Sequence, residues 1–219
     1  MKVTSVEPQK KNIRRFNIFL DGEFGFGADE DLIVHFRLLP GKEISKSDLE
    51  KLLYEAQVGR LMEKVYRLIS VRMRSEGEIR QYFKIKNQEA KFKGNEQVAD
   101  LAVEQLIERC KEKKLIDDFE FAKIWVEARK KSKKLGNRAL RMELIKKGIG
   151  KEIIESRLDN KTSESNLEEE KLAQEALQRR IKRWENLPSL EFKKKATDYL
   201  LRKGFDYSLI RRVLQKETC

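Results

Sequence analysis

The stretch LGNRALRMELIKKGI, Leu135 to Ile149, decides how this chain folds. Leu140 and Leu144 stand four apart, so a helix over about Arg138 to Lys147 gathers them on one face. Gly148 can then take the left-handed conformation that closes a helix, and Ile149 folds back over the last turn. A near copy, KKATDYLLRKGF (Lys194 to Phe205), follows downstream. In it Leu200 stands for Leu144, Gly204 for Gly148 and Phe205 for Ile149. The match runs on into the next helix, with Ile210 for Ile154 and Leu214 for Leu158. A single cap of this kind is generic, whereas a register kept through two helices marks a repeat.

The same unit is visible upstream. SEGEIRQYFKIKN (Ser75 to Asn87) carries Ile79, Phe83, Lys86 and Asn87 at the corresponding places, and asparagine is the next best residue at a left-handed cap. Its third helix, with Val103, Leu106, Ile107 and Cys110, comes only after an extra stretch, QEAKFKGNEQV. The fold expected is mainly α: a tandem array of three three-helix repeats, elongated and curved, with a small N-terminal β-hairpin or sheet extension. Its parts are the extension over 1–46, a connecting helix over 47–59, and repeats over 60–114 (with an insertion near 88–98), 115–160 and 165–216. NKTSESNLEEE reads as a linker before the last repeat.

The extension has a different period. In RRFNIFLDGEFGFGADEDL two runs rich in Phe and Ile flank Asp21 and Gly22, the dipeptide of a two-residue hairpin turn. With VTSVEPQ as a third strand, residues 3–28 read as an antiparallel sheet. Gly25 and Gly27 lie inside a strand run and predict a bulge or a close backbone approach. Their order, GxxGxG, fits neither a dinucleotide fingerprint nor a phosphate loop. Helix starts are predicted by capping boxes at Ser47 with Glu50, Ser75 with Glu78, Asp117 with Glu120 and Ser165 with Glu168. Gly59 is a candidate kink in the helix before the first repeat.

The bulk properties point to a partner. With 49 Lys and Arg against 37 Asp and Glu the formal charge is +12, a field that attracts polyanions. Cys110 and Cys219 form no CxxC, and no apolar run is long enough to span a membrane, so a cytoplasmic protein without membrane contact is expected. His35, the one histidine, sits among apolar residues in DLIVHFRLL and has no nucleophile or acid beside it. The acidic clusters ADED (Asp29 to Asp31) and LEEE (Glu168 to Glu170) sit at expected helix N-termini, where the dipole already favours them. No enzyme, metal site or cofactor is expected.

The cations are organised. Nine Lys or Arg against one acid, Glu143, lie between Arg129 and Lys147, and nine against three lie between Arg179 and Lys203. Aligning the repeats puts Lys194 on Arg138, Arg202 on Lys146 and Lys203 on Lys147, a candidate basic strip along the middle helices. The candidate partner contacts are Arg129, Lys130, Lys133, Lys134, Arg138, Arg141, Lys146 and Lys147, and then Arg179, Arg183, Lys194, Arg202 and Lys203.

LIDDFEFA (Leu115 to Ala122), Arg129, Gly136 and ELIKKGI (Glu143 to Ile149) resemble the signature of the RecX regulatory proteins, and YLLRKGF (Tyr199 to Phe205) resembles its echo in the last repeat. The hairpin resembles an N-terminal extension found in some members. The sequence departs from the pattern with Lys114 for a glycine before LIDD, with the loop LGN, and with the insertion in the first repeat. The resemblance implies a non-enzymatic modulator of the RecA recombinase that lodges, as a monomer, in the groove of the RecA filament on single-stranded DNA. It implies inhibition of filament extension, ATP hydrolysis, strand exchange and the co-protease activity behind the SOS response. In that reading Asp117, Phe121, Leu144, Gly148 and Gly204 are structural, and the basic faces make the contacts. The alternative is a stand-alone DNA-binding protein of helix-turn-helix type. The helices after the glycine turns, in GKEIIESRL and DYSLIRRVL, have few side chains suited to reading base edges.

Overall fold

Asp21 and Gly22 sit at φ of 49° and 92°, the backbone of a tight hairpin turn. In the computed structural model, which describes the chain except Lys11, Glu96, Gln97, residues 160–162, Glu185, Thr218 and Cys219, this turn joins β2 (Asn12–Leu20) to β3 (Glu23–Asp29). With β1 (Val3–Gln9) they form an antiparallel sheet in the order β1-β2-β3. The register shifts after Ile18, which pairs with Phe26 while Phe19 pairs with Phe24. Gly25 is the extra residue of that bulge, and a Cβ on it would meet Leu20 Cγ at 2.9 Å. Asp29 caps α1 (Glu30–Phe36), its carboxylate accepting from the Leu32 N–H.

A long helix, α2 (Lys46–Val71), follows. Its cap is Ser45, whose hydroxyl accepts from the Asp48 N–H at 3.1 Å, so the helix starts one residue before the expected cap Ser47. It also runs unbroken through Gly59, where a kink was expected. The bare Cα there makes room for the Asp29 carboxylate, which would lie 2.4 Å from a Cβ. Continuity has a packing reason. Leu52 and Ala56 of α2 close the core under the sheet, while Val58, Leu61, Met62 and Val65 enter the next core with Ile79, Phe83, Leu106 and Ile107. One rod serves both.

That second core belongs to α3 (Glu76–Phe92) and α4 (Asp100–Glu112). Ser75 caps α3 through the Glu78 N–H at 3.1 Å. The helix does not end at Asn87: it continues to Phe92, and Gly94, at φ 67°, takes the left-handed turn. Asn87 instead uses its carboxamide both ways, donating to Val98 O and accepting from Val98 N, which holds the returning chain. The insertion thus begins as an extension of α3, and its residues Glu96 and Gln97 lie outside the described ones. At the end of α4, Lys114 takes φ 54°, a left-handed conformation that favours glycine.

The remaining helices are α5 (Asp118–Lys133), α6 (Asn137–Lys146), α7 (Lys151–Leu158), α8 (Ser163–Ile181), α9 (Ser189–Arg202) and α10 (Tyr207–Glu217). Asp117 caps α5 through the Glu120 N–H at 2.9 Å. Ser165 lies inside α8 rather than at its cap, and the expected linker residues 160–162 are not described. Phe121, Leu140, Leu144, Ile149 and Ile154 build one core here, and Ala196, Leu200, Phe205 and Ile210 build another. Equivalent repeat positions fill equivalent places. The chain divides into two compact units, Met1–Arg74 with Ile79–Ile116, and Ser75–Glu78 with Asp117–Cys219. Among the described residues no helix is long and apolar enough to cross a membrane.

Candidate functional site

The two glycines of the repeated motif close their helices as the sequence predicts. At φ 75° and 89°, Gly148 and Gly204 let Ile149 N reach Leu144 O at 3.1 Å and Phe205 N reach Leu200 O at 3.2 Å. They also do something the local pattern does not announce. The start of α6 rests on the Gly204 turn: Gly136 N donates to Lys203 O at 2.9 Å and Arg138 N to Gly204 O at 3.1 Å. A Cβ on Gly204 would stand 2.3 Å from Ala139 N. The first turn of α3 rests on Gly148 in the same manner, with Ser75 Oγ donating to Lys147 O at 2.6 Å and Gly77 Cα 2.7 Å from where a Gly148 Cβ would be. Lys147 and Lys203 are repeat equivalents, as are Gly148 and Gly204.

These seats absorb part of the expected basic strip. Arg179 donates to Ser132 O at 3.1 Å and Lys203 Nζ to Lys133 O at 2.6 Å. Both cations therefore cap the carbonyl end of α5, where unpaired C=O groups and the helix dipole favour positive charge. Lys134, left-handed at φ 51°, bonds Glu175, and this ammonium holds the Glu175 carboxyl below its ordinary range. Arg141 ties α6 to Asp159 just beyond α7.

Arg129 and Lys147 are committed to a site around Trp125. The ring stacks on Phe121 at 5.6 Å, with the Arg129 guanidinium 4.2 Å and the Lys147 ammonium 4.8 Å from its centroid. Glu143 accepts from both Trp125 Nε1 and Arg129 Nε at 2.8 Å, and Lys147 also pairs with Glu78. Sequence reasoning left Trp125 unassigned. Its signal was Glu143, the lone acid among nine cations, which implies a specific job for that carboxylate.

The LEEE cluster is committed too. Glu169 accepts from the Asn137 N–H and its side-chain amide, both at 3.0 Å, at the N-terminus of α6. Burial raises the Glu169 pKa despite the Asn137 bond. Glu170 bonds Lys216 at 2.7 Å and Arg212 at 3.4 Å, and these bonds, Lys216 first, lower its pKa.

What stays outside is a smaller set. Arg138, Lys146, Arg183, Lys194 and Arg202 are exposed and make no ion pair among the described residues. Lys133 is exposed, and Lys130 is half-buried near enough to Glu169 to oppose its shift. At 100° per residue, Arg138 and Lys146 lie on either side of the line opposite Leu140 and Leu144, with the exposed Met142 between them and Ile145 just beyond Arg138. Ile145 is 53% exposed, and its repeat equivalent Leu201, beside Arg202, is 39% exposed. The outer faces of α6 and α9 each present two cations with an exposed aliphatic side chain beside them, Ile145 and Leu201.

Three family models match the chain: the regulatory protein RecX N-terminal domain over residues 1–45, the RecX second three-helix domain over 117–158 and the RecX third three-helix domain over 168–214. The regulatory protein RecX of Bacillus licheniformis is 33% identical over 214 residues, 98% of this chain and 76% of that one. That of Bacillus velezensis is 30% identical over the same coverage. A crystal structure of regulatory protein RecX superposes with a TM-score of 0.73 at 25% identity, covering 97% of this chain and 98% of that chain.

Proposed function

The chain belongs to the RecX family of regulatory proteins, and from that premise we propose that it is a non-enzymatic regulator that binds the RecA filament on single-stranded DNA. It limits filament extension and with it ATP hydrolysis, strand exchange and the co-protease activity. Arg138, Lys146, Lys194 and Arg202 make its contacts.

The observation that carries this reading is the composition of the outer faces. A phosphate backbone asks for cations alone, and buried aliphatic surface gains nothing from it. Ile145 and Leu201, exposed beside cations at equivalent places, suit instead a protein surface with acidic and apolar patches. The commitment of Arg129, Lys134, Arg141, Lys147, Arg179 and Lys203 to internal partners leaves them as supports that fix the helices presenting those faces.

A titration tests it. RecA-dependent ATP hydrolysis should be half-inhibited at protein concentrations well below those that saturate naked DNA. Potency no better than the affinity for DNA explains would favour the stand-alone DNA-binding protein.

A further inference from the structure

The glycine seats have a direction. The first turn of α3 docks on the Gly148 turn of the second repeat, and the first turn of α6 docks on the Gly204 turn of the third. In each, a helix start meets carbonyls at a glycine turn: Ser75 Oγ donates to Lys147 O, and Gly136 N and Arg138 N donate to Lys203 O and Gly204 O. A module of this design carries a plug where its middle helix starts and a seat where that helix ends. Such a contact is head-to-tail, and head-to-tail contacts run on from copy to copy unless the terminal faces are altered. Two faces are left over, the seat of the first repeat and the plug of the third.

Both are altered by helix extension. In the first repeat FKIK (Phe83 to Lys86) matches LIKK before Gly148 and LLRK before Gly204, but seven residues, Asn87–Lys93, intervene before Gly94. Gly94 closes α3 in the same way, at φ 67° with Asn95 N donating to Ala90 O at 2.9 Å. Seven residues are two turns, so the seat is carried about 10 Å along the axis at 1.5 Å per residue. The carbonyls of Lys86 and Asn87, equivalents of those of Lys147 and Gly148, now lie inside α3 and accept from its own N–H groups. The added turns stand mostly in water: Gln88, Glu89, Lys91 and Lys93 are exposed, and Phe92 is 96% exposed. In the third repeat the residues aligned with Gly136–Ala139 are Phe192–Lys195. There α9 begins one turn early, at Ser189, and Phe192 N already donates to Pro188 O at 2.9 Å. The N–H groups that would dock are consumed within the helix.

We infer that the chain carries a latent head-to-tail interface for a second copy of itself, and that the extensions of α3 and α9 hold it closed. Once opened, the third repeat of one copy plugs the first repeat of the next, through backbone donors and carbonyls like those already paired within the chain. The sequence keeps the record of the seat. With Asn87–Lys93 and Asn95–Gln97 removed, FKIKGVADLAV aligns with LIKKGIGKEII and LLRKGFDYSLI, which places Val98 on Ile149 and Phe205, and Val103 on Ile154 and Ile210. The seat motif is intact in the first repeat, and only its position has moved.

Sedimentation velocity on the full-length protein tests this, in salt that screens the repulsion between copies of charge +12. One variant lacks Asn87–Lys93 and Asn95–Gln97, which opens the seat. The other carries Leu190→Lys, Glu191→Leu, Phe192→Gly, Lys193→Asn, Lys194→Arg and Lys195→Ala, which opens the plug with the residues of Lys134–Ala139. The parent and each variant alone should sediment as monomers, and an equimolar mixture of the two variants should double the mass. A chain with both changes should form oligomers that grow with concentration. Gly94→Ala in the seat-opened variant should abolish pairing, as a Cβ at the equivalent Gly204 would stand 2.3 Å from Ala139 N. Because Phe192 packs on Trp184, with ring centroids 6.4 Å apart, a second plug variant deletes only Ser189–Glu191 and keeps the ring. A mixture with either folded plug variant that stays monomeric overturns the proposal, as does pairing that survives Gly94→Ala or self-association of the parent. So does loss of the cooperative melt on deleting the α3 turns, which would make them a support. Neither RecA nor DNA enters the assay, so its outcome is read apart from RecA inhibition.

Discussion

Glu169 and Glu170 are sequence neighbours with opposite pH behaviour, because the half-buried Glu169 loses water against a neutral amide while the buried Glu170 meets two cations. A carboxyl whose folded pKa is raised binds more protons in the native state. It stabilises fully below the ordinary value of 4.5, and that stabilisation is lost as pH rises through the folded value. Asn137 Oδ1 beside it is buried without a hydrogen-bond partner among the described residues. Glu169→Gln retains an acceptor for the Asn137 N–H, and its new NH2 can serve that oxygen once the Asn137 amide turns over. The expected result in a melting-temperature series against pH is stability at neutral pH equal to or above the parent's, with a shallower decline from acid to neutral pH. Glu170→Gln should do the reverse. Its folded pKa is lowered, so its stabilisation is present above 4.5 and disappears as pH falls through the folded value; the variant is weaker at neutral pH and equal to the parent in acid. The residue types in LEEE were legible as a helix-start cluster, but which carboxylate meets which partner depended on α6 and α10.

At the scale of elements, the glycine turns act as seats as well as caps. Their left-handed role was readable because it is local: Leu144, Gly148 and Ile149 lie within one turn and its exit. Their second role joins residues far apart in sequence, Gly77 with Gly148 and Gly136 with Gly204. No periodicity records that. Gly77→Ala separates the two effects. Inside a helix the change is ordinarily favourable by about 1 kcal/mol, but the new Cβ would stand 2.6 Å from Gly148 Cα and Lys147 O. Since backbone cannot move aside as a side-chain tip can, a net loss of about 2 kcal/mol is expected in denaturant unfolding. Gly41→Ala is the comparison, with φ of 98° and open space around it, and should cost about 1 kcal/mol from backbone strain alone. Gly148→Ala combines both penalties and should exceed either. Equal costs for Gly148→Ala and Gly41→Ala would mean that the seat contributes nothing. The misplaced end of α3 has the same origin as the hidden seats. Asn87 is a plausible cap by type, and only Val98, returning across the insertion, gives its carboxamide a different task.

For the whole molecule, reversing Arg138, Lys146, Lys194 and Arg202 to Glu takes the formal charge from +12 to +4, a change of two for each residue. All four are exposed and unpaired among the described residues, so helicity and melting should be unchanged while the proposed inhibition of RecA is abolished. Reversal of Arg129, Lys147 and Lys203 should instead lower the melting temperature, because those cations hold Trp125, Glu143 and the end of α5. Full inhibition by the first variant would place the contact elsewhere. The sequence by itself determined the helical class, the hairpin at Asp21 and Gly22, the repeated motif and its glycine caps, since each depends on residues within a few positions of one another. Only the tertiary structure decided which cations are supports and which are free, that α2 runs through Gly59, and that α3 carries a bare Phe92. Those outcomes turn on neighbours brought together by packing, and a charge or a ring takes its role from what stands beside it in space.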